Sequence, residues 1–173
     1  PKSPYAVTKL DGEYYCAMFA RERRLPTACL RYFNVFGPRQ DPASAYAAAV
    51  PIFIAKAVRG EPLTVFGDGE QTRDFIYVKD IVAANAFMAE HPEHGGVFNV
   101  AYGRRLTIND LANMIIAELK SASPIVHGPE RAGDVKHSMA AIERLLATGF
   151  VPSGQFREGL AATIAFFAGQ AGK

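Results

Sequence analysis

Apolar positions recur along this chain with two periods, and the alternation between them predicts a mixed α/β protein. Val7, Leu10, Tyr14 and Met18 repeat at three- and four-residue intervals, with Ala6, Ala17 and Phe19 widening the stripe. Ser3-Pro4 precedes them, a capping residue followed by a proline at the first helical position. This helix is expected to end near Arg24, ahead of Leu25-Pro26. Thr27 to Tyr32 then reads as a buried strand. Asn34-Val35-Phe36-Gly37-Pro38 breaks the pattern just past its C-terminal end, where open α/β sheets bind ligands. Asp41 to Ala49 reads as loop or short helix, and Pro51 to Arg59 as a helix closed by Gly60. Leu63 to Phe66 and Asp74 to Val78 read as short strands around the turn signal Gly67-Asp68-Gly69. Asp80 is expected to cap a helix running to about Glu90, followed by a strand over Val97 to Ala101. Thr107 with Asp110 imitates a capping box ahead of the amphipathic segment Ile108 to Leu119. Ile125 to His127 reads as a last strand. Ser138 is expected to cap a helix through Ala147, and Ser153 a final helix to about Ala168, with frayed residues beyond.

Helices alternating with short strands argue for an α/β fold of mixed strands rather than a barrel or a sandwich. The 173 residues are enough for a packed core, and 49% hydrophobic with 21% charged residues is ordinary for a globular chain. A net charge of +2 gives no electrostatic case for nucleic acid or a membrane surface, and no apolar run has the length of a membrane span. Cys16 and Cys29 make a disulfide framework unlikely to be the organising device and suit a reducing compartment, so a cytoplasmic location is expected. His91-x-x-His94 has no cysteine or carboxylate constellation around it, so no metal site is expected.

The candidate chemistry begins at Tyr5 and Lys9, four residues apart and therefore on one helical face. A free tyrosine, with a pKa of about 10, is too weak an acid to serve as a base at neutral pH. An ammonium one turn away stabilises the phenolate and opens that role. The plain alternative is an amphipathic helix surface. Arg73 and Arg131 come from distant segments, and two guanidiniums suit a diphosphate because each binds oxygens bidentately. Their plain alternative is two surface arginines. No glycine-rich turn follows a strand, so a dinucleotide's pyrophosphate would find no such turn in this sequence.

Four motifs occur in order: Tyr5-x-x-x-Lys9, Leu30 to Arg39 (LRYFNVFGPR), Gly67-Asp68-Gly69-x-x-Thr72-Arg73-Asp74-Phe75, and Arg131-x-Gly133-Asp134. On these the chain resembles the C-terminal portion of the extended short-chain dehydrogenase/reductases, the NAD-dependent nucleotide-sugar epimerase/dehydratase family. It is most similar to the UDP-glucose and UDP-N-acetylglucosamine 4-epimerases. The resemblance covers nearly the whole chain. It implies that residues 1–40 are the distal part of a Rossmann domain. Residues 41–173 then form the nucleotide-sugar domain, with some strands returning to the main sheet.

The resemblance also assigns roles. Tyr5 takes the proton of the sugar 4-OH while hydride passes from C4 to NAD, and the 4-keto sugar is then reduced on its other face. Lys9 hydrogen-bonds the nicotinamide ribose, and Tyr32 and Phe33 approach the nicotinamide. Asn34 meets the substrate, Arg73 and Arg131 the UDP diphosphate, and Asp134 and Gln71 the ribose. Val65 and Phe66, within Leu63 to Phe66, line the uracil, with Val50 and Pro51 nearby. A small residue at Ser138 leaves room for an N-acetyl group. Asp74 and Asp80 are expected to be structural, one beside Arg73 and one an N-cap. The helix of Tyr5 is implied to form a homodimer interface through Leu10, Tyr14, Cys16, Ala17 and Met18, unless these face the core. The NAD-binding half lies outside this sequence, so the chain alone is expected to be inactive. The alternatives are a nucleotide-sugar 4,6-dehydratase or decarboxylase, and a non-catalytic nucleotide-sugar-binding module.

Overall fold

The computed structural model describes residues 1, 3–44, 48–131, 133 and 135–171. In chain order the elements are α1 (Pro4–Arg23), β1 (Ala28–Tyr32), β2 (Asn34–Phe36), α2 (Ala49–Val58), β3 (Leu63–Phe66), β4 (Thr72–Arg73) and β5 (Phe75–Tyr77). They continue with α3 (Val78–Glu90), β6 (Gly96–Val100), β7 (Leu106–Thr107), α4 (Ile108–Leu119), β8 (Ile125–Gly128), α5 (Glu143–Leu146) and α6 (Phe156–Ala171). The fold is α/β. Among the described residues β1 pairs with β6, β2 with β5 and β3 with β8, all parallel, while β4 and β7 are antiparallel. Parallel pairs require crossovers, and the intervening helices supply them.

Helix α1 starts as its sequence dictates: Ser3 Oγ accepts the Ala6 N–H at 3.2 Å, and Pro4 follows the cap. It stops at Arg24, which takes a left-handed conformation (φ 50°) two residues before Pro26. Its apolar stripe divides. Leu10 and Cys16 are half-buried on the side of β1, where Thr27 Oγ1 bonds the Cys16 carbonyl and Arg31 pairs with Glu13. Tyr14, Ala17, Met18 and Phe19 stay exposed, and α1 has no fully buried residue. Cys16 and Cys29 are free thiols. The core lies elsewhere. Helices α2, α4 and α6 pack on one another with β3 and β5 against them, enclosing Val50, Ile54, Leu63, Ile76, Leu111 and Ile115. Among the described residues no helix is long and apolar enough to cross a membrane.

Several local expectations change. The Asn34–Phe36 segment is not only a break: it runs parallel to β5, with Phe36 buried at its end. Strand β5 starts at Phe75 rather than Asp74, and Val78 already opens α3. Asp80 is not the cap of α3. It lies inside the first turn, 3% exposed, and accepts from the Tyr102 hydroxyl, the Ser153 N–H and the Ser153 hydroxyl. Ser138 caps no helix, because the segment it opens is diverted to β4. The Ser138 N–H goes to the Thr72 carbonyl and the Ala140 N–H to Asp74, which leaves only α5 helical. Ser153 bonds the Gln155 N–H, and α6 begins at Phe156.

Candidate functional site

The parallel pair β2–β5 begins beside α2, and β3 runs past the same place. Between them lies a cleft of about 450 Å³. Asn34 enters from β2, Ala49, Ile52, Phe53 and Lys56 from α2, Val65 and Phe66 from β3, and Arg73 from β4. Gln71 and Arg131 complete it from loops. The cleft therefore gathers Asn34, Val65, Phe66, Gln71, Arg73 and Arg131, six residues singled out from sequence, drawn from segments almost a hundred positions apart.

Each is positioned by its neighbours. The Asn34 amide donates to the Asp74 carbonyl at 3.1 Å, tying β2 to the residue after β4. Gln71 donates to the Phe66 carbonyl at 2.8 Å, closing the Gly67-Asp68-Gly69 turn. The Arg73 guanidinium donates to the Thr72 carbonyl at 2.8 Å and to the Val135 carbonyl at 2.6 Å, clamping the segment after Arg131 onto β4. Arg131 lies over the Phe66 ring, 3.9 Å from its centroid, a cation–π seat. Lys56 donates to Thr64 Oγ1 at 3.3 Å. It was missed from sequence, although it falls one turn after Ile52 and Phe53 on the cleft side of α2. Among the described residues the lining carries three cations, Lys56, Arg73 and Arg131, and no carboxylate. Acidic groups appear only in the adjoining hollow, where Asp68 and Glu130 meet Lys136 beside Phe66. There the Glu70 N–H and then Lys136 hold the Asp68 carboxyl below its usual range.

Asp74 anchors the cleft from beneath. It is fully buried, and its carboxylate accepts the Tyr102 N–H at 3.1 Å and the Ala140 N–H at 3.2 Å. It is structural as expected, but through backbone N–H partners from two distant loops. Desolvation raises its carboxyl above the ordinary range, and these N–H groups work against the rise.

The other expected residues lie outside the cleft. Tyr5 is 71% exposed on α1, with the Lys9 ammonium 5.2 Å from its ring centroid. Tyr32 donates to Asn85 of α3 at 2.9 Å, and Phe33 donates its N–H to the Val100 carbonyl. Val50 is fully buried and faces the core; Ala49, Ile52 and Phe53 line the cleft in its place. Ser138 is half-buried beside Thr72 and does not line the cleft. Asp134 lies outside the described residues. His91 and His94 stack with Phe87, at 4.0 Å and 6.0 Å between centroids.

Parallel strands joined by crossover helices, with a cleft lined by three cations, define an α/β fold with a candidate anion-binding site. The chain belongs to the NAD dependent epimerase/dehydratase family, whose model matches residues 1–101. Among solved structures it is similar to the UDP-N-acetylglucosamine 4-epimerase of Methanobrevibacter ruminantium M1, in complex with UDP-N-acetylmuramic acid. There the identity is 46% and the TM-score 0.94, over 98% of this chain and 55% of that one. It is similar too to the Thermotoga maritima UDP-glucose 4-epimerase with UDP-glucose, at 38% identity and TM-score 0.91, over 99% of this chain and 55% of that one. A UDP-N-acetyl-alpha-D-glucosaminuronate decarboxylase of Bacillus cytotoxicus is 33% identical over 94% of this chain and 52% of its own length. The chain spans about half the length of such relatives.

Proposed function

We propose that this chain is the nucleotide-sugar-binding portion of a UDP-sugar 4-epimerase, with residues 1–40 completing a Rossmann domain and residues 41–173 holding the substrate. The observation that carries the reading is the cleft: Lys56, Arg73 and Arg131 line one volume, next to an aromatic ring at Phe66. A diphosphate matches the cations, and a flat base matches the apolar wall of Val65 and Phe66. Asn34 offers an amide to the sugar, and Gln71 and Asp134 are assigned to the ribose. The similarity to a UDP-N-acetylglucosamine 4-epimerase favours an N-acetylhexosamine over glucose. Ser138 does not carry that preference, because it lies outside the cleft lining.

The residues present fit the reactive end of NAD and not its pyrophosphate. Tyr5 and Lys9 share one exposed face of α1, whereas no glycine-rich turn follows a strand in this sequence. NAD, when bound, supplies the hydride acceptor and then the donor. The Tyr5 phenolic oxygen takes the proton of the sugar 4-OH and returns it after the transfer, with the Lys9 ammonium on the same helical face. Tyr32 and Phe33 approach the nicotinamide, and the exposed residues of α1, Tyr14, Ala17 and Met18, form the homodimer face. The cytoplasm, where nucleotide sugars and reduced thiols coexist, is the assigned compartment.

The decarboxylase relative keeps a second reading alive, a 4-keto chemistry followed by loss of carboxylate rather than inversion at C4. The chain joined to the NAD-binding half of a relative separates the two. Epimerisation of a UDP-hexosamine without gas release, lost by about a hundredfold or more in Tyr5→Phe, is the expected result. Full epimerisation by Tyr5→Phe would overturn the assigned acid/base role.

A further inference from the structure

A second hollow of about 330 Å³ lies behind the cleft and shares Phe75 with it. Its rim carries Arg104, Arg105 and Arg157, with Glu158 as the only carboxylate among the described residues. Tyr102, Leu106 and Phe156 complete its wall. Four other arginines are engaged: Arg31 with Glu13, Arg59 with Glu61, Arg131 over Phe66 and Arg144 over Phe98. Among the described residues the side chains of Arg104, Arg105 and Arg157 have no hydrogen-bond, ion-pair or ring partner, and Glu158 pairs with none of them.

The loop that presents Arg104 and Arg105 is fixed. The N–H groups of Tyr102, Gly103 and Arg104 converge on the buried Asp74 carboxylate. Gly103 holds φ at 68°, and a Cβ there would meet Ile142 Cδ1 at 3.0 Å. On the other side, Arg157 and Glu158 stand in the first turn of α6, at the positive end of that helix. Three exposed guanidiniums presented around a semi-apolar hollow, two by a fixed loop and one by a helix start, form a candidate oxyanion receptor.

We infer that this hollow is a second anion site, distinct from the nucleotide cleft, which takes a phosphate-bearing small molecule. Phosphate oxygens bind the guanidiniums, and any apolar part lies toward Leu106 and Phe156. Its position gives it a route to the cleft. Leu106 pairs directly with Arg73 across β4–β7, and Phe75 forms a wall of both spaces. An anion held at Arg104 and Arg105 therefore bears on the strand that carries Arg73. The inference does not depend on what the cleft binds.

The test is a titration of the chain with inorganic pyrophosphate at constant ionic strength, followed by backbone-amide NMR. The amides of 104–106 and 157–158 are expected to shift as one saturable set, separate from any set at Phe66 and Arg131. Arg104→Ala combined with Arg157→Ala is expected to weaken that set by about tenfold or more, and Lys at both positions to weaken it less. Unchanged thermal unfolding of the double variant establishes that its fold is intact. The inference is overturned if those amides do not move, or if the double variant titrates like the parent chain.

Discussion

Replacing Asp74 with alanine tests how the cleft is built, because one buried carboxylate joins three separate segments. The substitution leaves the Tyr102 and Ala140 N–H groups, both in buried residues, without acceptors at 3.1 and 3.2 Å. An orphaned buried donor costs about 1–3 kcal/mol, so the pair costs about 2–6 kcal/mol. The native carboxylate also bears a desolvation cost, seen in its raised pKa, and losing it offsets part of this. A net loss of about 2–4 kcal/mol remains, equivalent to a fall in Tm of about 4–16 °C for a chain of this size. Thermal unfolding followed by circular dichroism measures it. The pH dependence has a definite sign. A native pKa above the unfolded value means that the folded chain holds the proton more tightly. The advantage of the parent chain over Asp74→Ala is therefore greatest at acid pH. It narrows as pH rises from the ordinary aspartate range through the raised native value. A Tm for Asp74→Ala equal to that of the parent chain at all pH values would refute the claim that Asp74 fixes these loops.

Gly159→Ala separates helix propensity from packing. Alanine is favoured in a helix by about 1 kcal/mol, but a Cβ here would sit 2.5 Å from Cγ of the buried Tyr77 ring. Urea unfolding is expected to show a net loss of about 1–3 kcal/mol, and a stabilised variant would contradict the packing. Glu13→Gln removes the negative charge and one of the two oxygens that accept from Arg31, in bonds of 2.6 Å each that tie α1 to β1. The hydrogen bond from Arg31 lowers the Glu13 pKa, so this tie is present above the ordinary carboxylate range and lost as pH falls through the lowered value. Half of the Arg31 side chain is exposed, so a loss of only about 0.2–1 kcal/mol, shrinking in salt, is expected in thermal melts.

What could be read from sequence was what repeats or caps. Ser3-Pro4 fixed the start of α1, Thr107 the start of α4, and the alternation of Leu63 and Val65 the course of β3. Strands β4 and β7 were invisible, because two residues cannot display a period of two. The errors at Asp80 and Ser138 have one origin. Both residues are good local caps, yet tertiary partners claimed their groups: Tyr102 and Ser153 at Asp80, and the Thr72 carbonyl at Ser138. Gly37 looked like a turn residue, but its constraint is close approach, since a Cβ would lie 2.4 Å from Val78 Cγ1. In the cleft, Arg73 and Arg131 were legible from motif order. Lys56 was not, because a lysine on an amphipathic helix looks the same in sequence whether it faces water or a ligand. Tyr5 and Lys9 were legible as a pair, but the surface opposite them is outside this chain's cleft lining.

The central claim is that the cleft of Phe66, Arg73 and Arg131 receives a uridine diphosphate group, and calorimetric titration of the chain with UDP tests it most directly. The account predicts a saturable site at the cleft at which Arg131→Ala binds about tenfold or more weakly, one charge-assisted contact being lost. A folded chain that takes up no UDP, or an Arg131→Ala variant that binds it as tightly as the parent chain, would contradict the account.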